Sequence, residues 1–234
     1  MSSALNITFL GHSAFKITTP EGCVILIDPF LSQNPSTPED LKKQNKADYI
    51  LLTHGHEDHV GDTLEIAAQT GATVVSTVEL SGLLKSDGLE ASQAAEFNKG
   101  GTLKFSEFSV TLTNANHSSS FGGRYAGEAG GLVLRFTDGS CIYHAGDTNI
   151  MPDFSLYADL YAPDIVMLPI GDHYTMGPVE AAMAAAMIKT KKVIPMHYGT
   201  FPVLTGSPET FKTEVDKRTG GASEVVILQP GESV

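Results

Sequence analysis

Three histidines and an aspartate fall within six positions, His54-Gly55-His56-Glu57-Asp58-His59, and no other stretch constrains the chain so tightly. The apolar run YILL at 49–52 reads as a short buried strand that empties directly into this segment. A helical pattern follows over about 58–69 and is stopped by Gly71. A strand end feeding a helix start is a place where a loop carries chemistry on a rigid scaffold. In an extended segment residues two apart face the same side, so His54 and His56 suit one ion, with Gly55 letting the backbone bend between them. Asp58 and His59 open the helix and point from another direction, as a second ion requires. Imidazole with carboxylate is a ligand set for Zn, Fe or Mn.

The rest of the chain supplies the frame. Strand patterns occur at 6–10, 14–18 and 24–27, then at 73–76, 102–105 and 108–113. A helix is expected at 78–85, and loops at 32–38 and 116–131. Strands return at 132–136 and 141–144. Helices at 152–161, 178–189 and 207–217 then alternate with strands at 165–168, 193–195 and 224–228. The pattern alone supports one α/β domain over 1–234, and a four-layer αββα sandwich of two mixed sheets accommodates it. Met183 and Met187, at helical spacing among alanines, read as core.

Charge narrows the partners. With 15 Lys and Arg against 27 Asp and Glu, the net charge of −12 disfavours nucleic acid and anionic membrane surfaces. The two cysteines, Cys23 and Cys141, lie in strand-like runs and read as small core residues rather than a disulfide framework. No basic leader with a long apolar run opens the chain, and no window approaches a membrane span. The expectation is a cytoplasmic protein acting on a small molecule.

The window 54–59 resembles the H-x-H-x-D-H signature of the metallo-β-lactamase superfamily, and the remaining pieces follow in that superfamily's order. ILIDPF at 25–30 is similar to its early strand ending in Asp, His117 follows a strand, Asp147 lies in AGDT, and His197 follows the strand at 193–195. More narrowly, LGHSAF at 10–15, HSSS at 117–120, HAGDT at 144–148 and IGDHYTMGP at 170–178 resemble a branch of bacterial and archaeal metal-dependent hydrolases. The ascorbate-6-phosphate lactonases are cousins of that branch. The resemblance spans about residues 5–230. Carried over position by position, it implies that His54, His56 and His117 hold one metal and that Asp58, His59 and His197 hold a second. Asp147 would bridge them, and Asp28 would orient a ligand from behind. The implied cofactors are two divalent ions, Zn or Mn, activating a bridging hydroxide to cleave an ester, lactone, thioester or phosphodiester.

Four residues carry open alternatives. His12 is either a proton donor or substrate contact, or a satisfied histidine at a strand end. His173, before a helix opening with Pro178, is the leading non-ligand group for catalysis or substrate binding. His144 reads as a supporting or core residue. Arg124 either holds an anionic substrate group or is solvated. At the level of the whole chain, a metal-binding or regulatory module without turnover is the alternative to a hydrolase. A nuclease is disfavoured by charge, and a flavin-linked redox enzyme by a chain ending near 234. A homo-oligomer would fit the family, although no isolated apolar stripe demands one.

Overall fold

The computed structural model describes residues 5–234, which form two compact units. The first comprises the chain through Asn98 together with Ser118–Glu128 and Leu228–Val234; the second comprises Lys99–His117 and Ala129–Ile227.

The sheet of the first unit has six strands in chain order: β1 (Asn6–Gly11), β2 (Ala14–Thr18), β3 (Val24–Ile27), β4 (Tyr49–Leu51), β5 (Thr73–Thr77) and β6 (Ala94–Phe97). β1 to β3 form an antiparallel meander, and β3 to β6 run parallel. Strand β3 is apolar throughout (VILI) because both of its faces are buried, the habit of parallel strands. One face of the sheet, carrying Leu26, Ile50 and Val74, shares a core with Ile66, Leu80 and Leu84. These last come from helices α2 (Thr63–Thr70) and α3 (Val78–Ser86), and each fully buried Leu or Ile contributes about 1.5–3 kcal/mol. The chain end covers the outer edge of β1: Ile7 N–H donates to the Val234 carbonyl at 2.9 Å, and Val234 N–H returns the bond at 3.0 Å.

The single helix expected over 58–69 is instead two, α1 (Glu57–Val60) and α2. Asp62 sits at the break. Its N–H donates to the Pro29 carbonyl, and its Oδ2 accepts from the N–H groups of Leu31 (2.7 Å) and Ser32 (2.9 Å). Those ties to the segment after Asp28 override the helical period, as tertiary context often does. Strand β6 went unseen in the pattern because Ala and Glu are poor strand formers. The expected loop over 116–131 contains a small ribbon, β9 (Ser120–Phe121) with β10 (Arg124–Tyr125), turning at Gly122 and Gly123. Both glycines have positive φ, +56° and +72°, as a tight hairpin turn requires, so the Gly-Gly pair was the readable signal.

The second unit holds a seven-stranded mixed sheet. Its strands are β7 (Thr102–Lys104), β8 (Phe108–Asn114), β11 (Gly130–Phe136), β12 (Cys141–His144), β13 (Ile165–Pro169), β14 (Lys192–Met196) and β15 (Glu224–Val225). The order in space is β15-β14-β13-β12-β11-β8-β7, with β12 to β15 parallel and the rest antiparallel. Helices α4 (Asp153–Tyr161), α5 (Pro178–Ile188) and α6 (Pro208–Thr219) complete it. Helix α5 buries Ala181, Ala184, Ala185 and Ile188, small side chains at helical spacing that let it pack closely on α6 and β13. That choice of face turns Met183 outward, 48% exposed, so the reading of Met183 as core is corrected; Met187 packs against the core. Cys141 is buried in β12, Cys23 is half-buried before β3, and neither is in a disulfide. No helix among the described residues is long and apolar enough to cross a membrane.

Helix α6 begins with Ser207 as its cap, whose Oγ accepts from Thr210 N–H at 3.3 Å, followed by Pro208 in the first turn. Ser207→Ala is therefore expected to cost about 0.5–1 kcal/mol and lower the melting temperature by about 1–4 °C, read by thermal unfolding. An unchanged melting curve would show that the cap contributes nothing.

Candidate metal centre

Open α/β sheets place ligands beyond the carboxyl ends of their parallel strands. In the first unit, neighbouring parallel strands β3 and β4 end at Ile27 and Leu51, and Asp28 and the segment from Thr53 to His59 follow directly. Asp28 is fully buried and takes a full set of donors. Its Oδ1 accepts from Thr53 N–H at 2.9 Å, and its Oδ2 accepts from the Thr53 hydroxyl at 2.6 Å and faces His59 Nδ1 at 2.7 Å. A carboxylate can only accept, so His59 carries a proton on Nδ1, and its neutral ring presents the Nε2 lone pair. Asp28 lies close enough to His54 and His59 to count as a third ligand of one cluster. Its oxygens are already engaged by three donors, which makes it the group that orients His59, as the resemblance implies.

His54 is buried, and its Nδ1 lies 3.0 Å from Thr53 Oγ1. Its Nε2 stands 3.0 Å from Nδ1 of His56, while Nε2 of His56 faces Ser118 Oγ at 3.3 Å. The rings of His54 and His59 are 4.1 Å apart between centroids. Nε2 of His54 and Nδ1 of His56, turned toward each other at 3.0 Å, form part of a donor set that a divalent ion fits. Gly55 serves this cluster through close approach: a Cβ there would lie 2.5 Å from Cβ of Ala126. Gly55 is not among the glycines with positive φ, so what demands glycine here is this close packing. The contact is pinned by Ser119, whose Oγ accepts from Gly55 N–H and donates to the Ala126 carbonyl. His12 Nε2 lies 3.1 Å from Asp58 Oδ2, with the imidazole buried and the carboxylate about a third exposed. His12 thus stands behind Asp58 as a hydrogen-bond partner.

The second unit gathers its own three candidates. His117 follows β8, Asp147 follows β12 and His197 follows β14, and these strands share one direction. Asp147, 2% exposed, has Oδ2 at 3.0 Å from His197 Nε2 and 3.6 Å from His117 Nε2. The buried Thr148 ties these loops: its Oγ1 accepts from Asn116 N–H beside His117, and its carbonyl accepts from Met176 N–H. His144 is fully buried, and its Nδ1 accepts from Gly146 N–H at 3.2 Å, so it shapes the turn that presents Asp147. Ser119 and Thr148 fall inside the HSSS and HAGDT motifs without a role read for either, and Thr53 carries no sequence signal of its own, since a threonine beside a ligand is unremarkable in composition.

Backbone strain marks the same segments. Seven non-glycine residues among those described have positive φ. Ala162 and Lys189 end helices α4 and α5; the others are His12, Asp28, Asp172, His173 and His197. Such conformations persist where surrounding bonds enforce them, and they concentrate at functional sites. His173 is exposed and stacks edge-on with Tyr174 at 4.4 Å, while Asp172 Oδ1 accepts its N–H at 2.7 Å. Arg124 lies in β10 and is held by Asp87 at 2.6 Å, a pairing that lowers the Asp87 carboxyl pKa below its ordinary value. Its charge is therefore already matched.

The sequence profile of a family described as "Beta-lactamase superfamily domain" matches residues 6–197. A protein of Rubrobacter xylanophilus named UPF0173 metal-dependent hydrolase is 47% identical over 239 residues, covering 100% of this chain and 98% of its own. One of the same name from Herpetosiphon aurantiacus is 46% identical over 232 residues, covering 97% of this chain and 96% of its own. Among solved structures, Igni18, a metallo hydrolase of the archaeon Ignicoccus hospitalis, is similar with a TM-score of 0.86 at 36% identity, covering 98% of this chain and 97% of that one.

Proposed function

Because the chain belongs to the metallo-β-lactamase superfamily, has its fold and is a metal-dependent hydrolase, we propose that it works with two divalent ions, Zn or Mn. The proposed substrate is a small molecule with an ester, lactone, thioester or phosphodiester bond. His54, His56 and His117 are assigned to one ion, Asp58, His59 and His197 to the other, and Asp147 to both. The observation that carries the reading is the proton inventory of the first unit. The buried rings of His54 and His59 both have Nδ1 hydrogen-bonded, to Thr53 and Asp28, which leaves Nε2 of each as a ligand atom. In the second unit the buried Asp147 supports the reading, since a carboxylate beside two imidazole nitrogens is a donor set that a divalent ion fits.

When bound, such ions supply a nucleophile from water at neutral pH and polarise the oxygen under attack. The chain's own residues do the rest. His12 donates to Asp58 and fixes its carboxylate, and Asp28 fixes His59. His173, exposed on a strained loop, is assigned to substrate contact or proton delivery to the leaving group. Arg124 is the weaker substrate contact, since Asp87 already neutralises it. The net charge of −12 favours a small substrate over a polyanion.

Elemental analysis of the purified chain should find about two ions per chain. The Zn and Mn forms should hydrolyse at least one of a panel of chromogenic phosphodiesters, lactones and thioesters. Two ions without turnover on any substrate would favour a metal-binding module, and no ion after reconstitution would sink the proposal.

A further inference from the structure

We infer that Thr53 is a positioning residue: its hydroxyl holds the proton of His54 on Nδ1 and so reserves Nε2 as the ligand atom. The inference rests on the assignment of His54 as a metal ligand and adds to it a residue outside the ligand set. Thr53 is fully buried, two residues past the end of β4. A hydroxyl has one proton and two lone pairs. That proton is committed, because Thr53 Oγ1 donates to Asp28 Oδ2 at 2.6 Å. Toward His54 Nδ1, at 3.0 Å, the same oxygen can only accept. Nδ1 of His54 must then be the donor, and in the neutral ring Nε2 keeps its lone pair, turned to His56 Nδ1 at 3.0 Å.

The hydroxyl cannot easily turn to another arrangement. Thr53 N–H is itself bound to Asp28 Oδ1 at 2.9 Å, so backbone and side chain grip one carboxylate from two sides. That carboxylate also takes the Nδ1 proton of His59 at 2.7 Å. One buried aspartate therefore sets the tautomers of two imidazoles, His59 directly and His54 through Thr53. The tautomer of a histidine ligand is decided by the bond its other nitrogen makes, and such supporting bonds are worth about 10–100-fold in metal affinity.

The test uses the full-length, metal-free protein labelled with ¹⁵N, whose imidazole tautomers are read by long-range proton–nitrogen correlation, together with Zn affinity by chelator competition. The parent should show His54 protonated on Nδ1. Thr53→Val, which keeps the shape and loses the hydroxyl, should lose that preference and bind Zn about 10–100-fold more weakly. Thr53→Ser should restore both. Should the valine variant fail to fold, the parent tautomer and the serine variant still decide the matter. A parent His54 protonated on Nε2, or a valine variant with parental tautomer and affinity, would overturn the inference. A parent with Nδ1 protonated that takes up no Zn would leave the tautomer assignment standing and defeat the ligand reading instead.

Discussion

Asp28→Ala should unfold the chain more readily whether or not metal is present, by about 3–5 kcal/mol, or roughly 10 °C in melting temperature. The reason is the number of donors that lose their acceptor. Thr53 N–H, the Thr53 hydroxyl and His59 Nδ1 all converge on this one fully buried carboxylate. Each donor left without a partner in the interior bears its own desolvation penalty. Asp28→Asn separates stability from chemistry. The amide keeps one acceptor, but its NH₂ must occupy a position where a donor now points. If it faces His59 it donates to Nδ1 and moves that ring's proton to Nε2, away from the tautomer a ligand needs. Asp28→Asn should therefore be milder in melting temperature than Asp28→Ala, yet lose metal affinity by about 10–100-fold. Elemental analysis beside thermal unfolding checks both. Full metal content in the Asn variant would mean that Asp28 does not govern the ligand tautomer.

How much of this was legible in the sequence depends on the length scale of the signal. The ligand candidates were readable because their chemistry is rare and their spacing local: His54, His56 and His59 lie within six positions after an apolar run. Strands such as β3 and helices such as α5 were readable from composition and period. Asp62 was not, since its effect depends on a loop 30 residues earlier in the chain folding back to meet it. Thr53 was invisible for a similar reason: its meaning lies in the partners on either side of its hydroxyl, Asp28 and His54. The backbone strain at His12, Asp28, His173 and His197 also has no sequence signature, because positive φ at these residues is imposed by contacts and opposed by local preference.

Asp147→Asn should give the opposite stability signature to Asp28→Ala, and that contrast separates a ligand from a structural residue. Asp147 is 2% exposed and lies 3.0 Å from His197 Nε2, so its charged carboxylate bears a desolvation penalty of several kcal/mol that a neutral amide does not. The asparagine keeps an acceptor for His197 and sheds the charge. In chelator, the variant should melt at or above the parent temperature. With metal in excess the order should reverse, because binding to the native state alone stabilises the parent by about 2.7 kcal/mol at a concentration 100 times Kd. Hydrolysis of whichever substrate the parent turns over should fall at least about 100-fold, more than the loss of an outer hydrogen bond would give. Thermal unfolding in chelator and in excess Zn, run side by side, reads the crossing directly. A variant less stable than the parent by the same margin in both conditions would assign Asp147 to structure. Only a residue held at a cost in the bare protein, and repaid when ions bind, should cross.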